Sequence, residues 1–258
     1  MSGTRSSGSW PEPQQEAATE PVLKLEQSQL IPQRPLRPSG QAGEHGFVVS
    51  SQSSRSSAIP DESQFARPSC LTGRVLLRGM NIGHARLHQW GLKAAGIRPR
   101  DRVLDVGCGG GKAIARILTQ TRREVAGVDH SPDAVETSRR VNRAAVASGR
   151  LRVLEGSVDH LPFRDGFFDV ATAFETTYFW PDLQAGLIEI RRVLSSEGRL
   201  VITNEVADRE AAGHWAERLN MNVTDGQSLA ALAREAGFLT VDISIHPRHR
   251  WLRLVATR

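Results

Sequence analysis

The run Val103-Leu104-Asp105-Val106-Gly107-Cys108-Gly109-Gly110-Gly111 constrains this chain more than any other stretch. A short apolar strand carrying an acid runs straight into glycines spaced Gly-x-Gly-x-Gly. A buried parallel strand delivers such a turn to the carboxyl edge of a sheet, where glycine lets a ligand approach the backbone without interference from Cβ. Residues 112–118 then read as the first turns of a helix whose free N–H groups face that ligand. The combination fits a nucleoside-bearing cofactor.

Two nucleotide motifs come close and fail at identifiable positions. A phosphate-cradling loop needs a glycine five residues before Gly111 and a Ser or Thr after Lys112, but the chain has Val106 and Ala113. A dinucleotide fingerprint starting at Gly107 needs its third glycine at 112, where Lys112 stands, so the close helix packing that glycine permits is not encoded. A pyrophosphate ligand is therefore disfavoured.

Periodicity and breakers supply the architecture. Residues 74–96 have helical spacing, with Leu76, Met80, Leu87, Trp90 and Ala94 as an apolar stripe broken near Gly79 and Gly83. Strands are expected at 102–107, 124–128, 151–155, 168–174, 199–204, 239–245 and 251–257. Helices are expected at 111–120, 132–148 with Ser131 or Asp129 near its cap, 182–195 and 227–236. That alternation predicts a three-layer α/β/α sandwich around a seven-stranded, mostly parallel sheet with an antiparallel last strand.

With those pieces in place, the glycine loop resembles that of class I S-adenosylmethionine-dependent methyltransferases, in the small-molecule, type 11-like subgroup. The likeness extends over about residues 80–258, through Val125-Ala126-Gly127-Val128-Asp129, Gly156 to Phe163, Phe167-Phe168-Asp169-Val170 and Arg192-Val193-Leu194 to Ile202, in the family's order. It implies S-adenosyl-L-methionine as cofactor, held by Asp105, Gly107, Cys108, Gly109, Gly111, Asp129, His130, Ser157, Val158 and Phe174. Asp105 either orders the loop or meets the ammonium of the methionine moiety. Asp129 either accepts both ribose hydroxyls or caps the 132–148 helix. His130 packs on the adenine edge or is a solvated loop residue. One departure stands out: many relatives place Asp where this chain has Ser157, so adenine recognition leans on the backbone there.

In the same reading the sulfonium methyl is already activated, so transfer is an in-line substitution that requires no metal, and the protein supplies orientation and, for a protonated acceptor, a base. Glu175, His84 and Tyr178 are the candidate bases, in that order, with His84 equally able to cap a helix turn. Tyr178 and Trp180 are expected on an acceptor-binding rim, and residues 206–225 as a variable substrate cover.

Composition bounds the rest. Apolar residues make up 39% of the chain, below the usual globular share. Residues 1–66 are crowded with Ser, Gly, Pro and Gln and show no sustained period, so they are expected to be a disordered extension whose removal leaves the fold intact. Residues 67–98 are assigned to N-terminal lid helices and 99–258 to the methyltransferase domain. The extension holds five basic and seven acidic residues, leaving 28 basic against 21 acidic on the remainder. Only three residues are lysines and no RNA-binding motif is present, so nucleic acid is not expected as a partner and a small-molecule acceptor is. No apolar run suits a signal peptide or a membrane span, which leads to an expected cytoplasmic location. The two rival readings are an RNA or protein methyltransferase and a non-catalytic cofactor-binding protein.

Overall fold

The computed structural model describes residues 10, 84–213, 216 and 221–258. Within them the apolar runs form seven strands: β1 (Val103–Val106), β2 (Val125–Asp129), β3 (Leu151–Glu155), β4 (Phe168–Phe174), β5 (Leu194–Asn204), β6 (Thr240–Ile245) and β7 (Leu252–Thr257). They join one sheet in the order β3-β2-β1-β4-β5-β7-β6. All pairs are parallel up to β5, and β7 runs antiparallel to both β5 and β6. The chain thus reverses its direction of winding between β1 and β4, and a crevice opens at their carboxyl ends.

The pattern of burial explains why the strands look as they do in sequence. Central β1 and β2 are buried at every position and read as unbroken apolar runs. The edge strands β3 and β6 alternate instead, because one side of each meets solvent. One face of the sheet is covered by α1 (Ala85–Ala95), α2 (Lys112–Ile117) and α3 (Pro132–Val141), through Leu87, Leu92, Ile114, Ile117 and Val135. The other face is covered by α5 (Leu183–Val193) and α7 (Gly226–Glu235), through Leu187, Ile190, Val193, Leu229 and Ala233. This is the expected three-layer sandwich. Each fully buried aliphatic side chain stabilises it by about 1.5–3 kcal/mol relative to exposure.

Local chemistry sets the helix ends. Ser131 is the N-cap of α3, its hydroxyl accepting from Ala134 N with Pro132 in the first turn. Asp182 and Asp225 cap α5 and α7 in the same way. Where one helix was expected over 132–148, there are two, α3 and α4 (Arg143–Ala147), because Asn142 leaves helical geometry to bond Gly111 O and Ser138 O, each at 3.0 Å. Strand β5 begins five residues earlier than expected. Leu194 pairs with Phe168, while the next pairing joins Val170 to Arg199, so the intervening residues bulge out of register.

Most of the expected extension over residues 1–66, and the lid assignment over 67–83, lie outside the described residues. Trp10 is the exception. Its indole is half-buried against the domain, with Nε1 donating to Gly149 O at 2.8 Å. Among the described residues no helix is long and apolar enough to cross a membrane.

Candidate active site

A cavity of about 250 Å³ opens at the carboxyl ends of β1, β2 and β3. Val106, Gly107, Val128, Asp129, Ser157 and Val158 form one side of it, and Thr176, Phe179 and Trp180 the other. Asp129, the last residue of β2, is the organising group. Its two carboxylate oxygens accept from Gly109 N at 2.8 Å and Ser131 N at 3.0 Å, which ties the glycine loop to the start of α3. Burial pushes its carboxyl upward against those two hydrogen bonds. His130 stands beside it at the cavity wall, Nδ1 lying 3.8 Å from Asp129 Oδ1.

The glycines of the loop have different duties. Gly107 turns at φ 67°, and a Cβ there would lie 2.0 Å from Thr176 Oγ1. A Cβ on Gly109 would meet nothing within 4 Å, so the loop at that residue is open to a ligand. Gly111 is a packing glycine: a Cβ would sit 2.8 Å from the Ser138 backbone and 2.7 Å from Asn142 Nδ2. Close packing thus occurs one residue before the position where the dinucleotide fingerprint would put it, which corrects the inference drawn from Lys112.

Two expected wall residues face elsewhere. Phe174 belongs to the opposite face of the sheet, where its ring lies 4.9 Å from that of His88 and closes against Gly91 of α1. The Cys108 side chain is buried against Gly127 and Ile114 rather than turned into the cavity. Asp105 is also withdrawn from water. It accepts from Thr172 Oγ1 at 2.6 Å, and burial raises its carboxyl to about 7 in spite of that bond. In this structure it fastens β1 to β4.

A second group lies beyond Thr176. Glu175 follows β4 at φ 60°, a conformation rare outside glycine, and its carboxylate accepts from Glu205 N just after β5. Glu205 in turn pairs with His84 Nε2 at 3.4 Å. The ligand atoms of His84, Glu175 and Glu205 all lie within 4.8 Å of one another. The hydrogen bond to Glu205 raises His84 above its ordinary value, and burial raises Glu175 to about 8. A carboxyl titrating near neutrality is suited to taking a proton from an acceptor.

Of the three base candidates, Glu175 and His84 are brought together. Tyr178 is not: it is buried, its hydroxyl donates to Val206 O at 3.2 Å and accepts from Val206 N at 3.0 Å, and burial holds the phenol well above its usual range. Its role is to fix the chain leaving β5. Trp180, expected on an acceptor rim, is buried and donates to Thr176 Oγ1 at 3.2 Å, with one flank on the cavity. Phe179 is the more exposed aromatic of the segment and also lines the cavity. Glu205 was not foreseen. The signal available was the pairing of an acid after β5 with an acid after β4, since adjacent parallel strands bring their ends together. In the 206–225 segment, α6 (Arg209–Ala212) is capped by Asp208, and Asn222 N bonds Tyr178 O at 3.0 Å, so the described part of that cover is fastened to the aromatic segment.

Residues 104–202 match the family model for a methyltransferase domain. The chain is 33% identical over 159 residues to an O-methyltransferase of Pyrenophora dematioidea, covering 58% of this chain and 60% of that protein. It is 33% identical over 134 residues to a ubiquinone/menaquinone biosynthesis C-methyltransferase of Geobacter sp. (strain M21), covering 51% and 56%. The chain therefore spans a little over half the length of these curated relatives. Among solved structures, a chain from the complex of the Haloferax volcanii Trm112 methyltransferase activator with a methyltransferase superposes with a TM-score of 0.63 at 22% identity, over 78% of this chain and 99% of that one. A SAM-dependent methyltransferase from Aquifex aeolicus gives a TM-score of 0.59 at 18% identity, over 71% and 97%. At those identities the structural likeness concerns the fold.

Proposed function

We propose, from the premise that this chain belongs to the class I S-adenosylmethionine-dependent methyltransferases, that it transfers a methyl group from S-adenosylmethionine to a small-molecule acceptor carrying an ionisable proton. The observation that carries this reading is the adjacency of two differently built regions. One is a cavity at the glycine loop bounded by Asp129, Ser157 and Val158, and the other is the Glu175–Glu205–His84 cluster just across Thr176.

The residues fit the cofactor. Gly109 leaves open space where a Cβ would project, and Asp129, Ser157 and Val158 all line the cavity. When bound, S-adenosylmethionine supplies a methyl group activated on a sulfonium. Asp129 would hold the ribose hydroxyls, Ser157 and Val158 the adenine, and Phe179 and Trp180 the apolar wall against it. Glu175 would receive the acceptor's proton, with His84 and Glu205 keeping its carboxylate oriented and screened. Relatives that methylate oxygen and relatives that methylate carbon both accord with such a base. A cytoplasmic setting is part of the same proposal.

Incubating the protein with methyl-labelled S-adenosylmethionine and pools of phenols, enols and amines tests this directly. Labelled product from a hydroxyl or enol pool, lost in Glu175→Gln while cofactor binding persists, is expected. Cofactor binding with no transfer to any pool would favour a non-catalytic protein, and label appearing only in added RNA or protein would overturn the acceptor class.

A further inference from the structure

Trp10 stands in the stretch Ser9-Trp10-Pro11-Glu12-Pro13, which has no periodic pattern, yet its indole has three separate partners on the folded domain. Nε1 donates to Gly149 O at 2.8 Å, the Arg152 guanidinium lies 5.5 Å from the ring centroid, and the Phe167 ring is 5.8 Å away at 42°. An indole needs an apolar wall, an acceptor for its one N–H and, most favourably, a cation over its face. The domain offers all three at one place.

That place is the amino edge of the sheet. Gly149 precedes β3, Arg152 lies within it, and Phe167 precedes β4. Phe167 is itself flanked by Arg102 and Arg164, whose guanidinium carbons lie 4.9 and 5.1 Å from its ring centre. The surface is therefore aromatic and carries three guanidinium groups, of which Arg102 is paired with Glu124 at 3.5 Å while Arg152 lies over the indole, and it lies at the opposite end of the strands from the glycine loop, Asp129 and Glu175. The segment around Trp10 is acidic in sequence, with Glu12, Glu16 and Glu20 following the tryptophan and no basic residue between Trp10 and Lys24. Charge complementarity thus favours this segment as the occupant.

We infer that the Gly149–Arg152–Phe167 surface is a docking site for the chain's own N-terminal segment, anchored by the Trp10 indole, so that the chain is held to the domain at Trp10 on one edge of the sheet and at His84 on the other. Because the anchor acts within one molecule, a modest contact suffices to keep it occupied. The site works independently of methyl transfer. It also shields part of β3, an edge strand whose unpaired backbone groups otherwise invite pairing with other chains.

The test uses the full chain. A fluorescein-labelled peptide of residues 5–15 should bind saturably to full-length Trp10→Ala, whose site is vacated, and at least roughly tenfold more weakly to wild type, where the tethered segment competes. Adding Arg152→Ala to Trp10→Ala should abolish the binding. Hydrogen exchange of wild type and Trp10→Ala supplies a second readout: amides of residues 149–152 should exchange roughly tenfold faster in the variant, while those of 103–109 stay unchanged. Equal peptide binding to wild type and variant, no binding to either, or unchanged exchange at 149–152 would each overturn the proposal.

Discussion

Asp129 carries a structural duty and a proposed binding duty on one carboxylate. It fixes the glycine loop through Gly109 N and opens α3 through Ser131 N, and the residue lines the cavity where a ribose would lie. Asp129→Ala should weaken binding of S-adenosylmethionine by about 1–3 kcal/mol, since hydrogen bonds to a charged acceptor are among the stronger ones. Calorimetry giving the same affinity for both proteins would remove Asp129 from the site. Glu175 makes a second prediction, about pH. Burial raises it to about 8, so between the ordinary carboxylate range and that value the folded chain holds a proton the unfolded chain lacks. Its effect on stability therefore becomes less favourable as pH climbs through that window and is constant above it. His84, raised by Glu205, acts in the same direction, its contribution being lost as pH rises through the folded value. Glu175→Gln should accordingly show a flatter fall of melting temperature across the window than wild type, and parallel profiles for the two would count against a Glu175 carboxyl raised by burial. Asp129, His130, Ser157 and Val158 were legible in the sequence because each follows a strand end within a few residues. Phe174 was misread because strand parity, not position along the strand, decides which face a side chain joins: Val106 and Val128 reach the cavity side, while Phe174 turns toward α1.

At the level of elements, the glycine loop and α3 are built against each other. Gly111 sits at φ 77° with Ser138 and Asn142 pressed against its Cα, and Asn142 bonds its carbonyl. Gly111→Ala should cost about 2–4 kcal/mol, from a left-handed non-glycine residue together with overpacking against α3. Gly109→Ala, with open space beside it, should pay only the backbone part and leave its main effect on cofactor affinity. Denaturant melts separate the two, and equal destabilisation would show that loop strain rather than helix contact sets the cost. Element types were legible from period and, for α3, from the cap expected at Ser131. The split at Asn142 was not, since it depends on a hydrogen bond to Gly111, 31 residues away in sequence. The early start of β5 was equally hidden, because residues 195–198 are polar and bulge between two paired stretches.

Across the whole molecule, alternation of strands and helices was enough to predict layers and a mostly parallel sheet, but period alone could not give the strand order β3-β2-β1-β4-β5-β7-β6. Trp10 was invisible for a related reason: a lone aromatic among Ser, Gly and Pro has no periodic neighbours, and its partners come from β3 and β4, more than 130 residues away. The placement of the cavity at the reversal between β1 and β4 leads to a global prediction. S-adenosylhomocysteine, the demethylated form of the proposed donor, would bind across the ends of β1, β2 and β3, strands that separate only when the sheet opens. Bound to the folded state alone at a hundred times its dissociation constant, it should stabilise the chain by about 2.7 kcal/mol. For a folded part of this size that corresponds to a rise in melting temperature of about 5–10 °C. The rise should shrink in Asp129→Ala in proportion to the lost affinity, persist in Glu175→Gln, and be absent with NAD, which is not the proposed cofactor. A matching rise with NAD would mean that the loop binds a different nucleotide and that the family's cofactor chemistry does not extend to this chain.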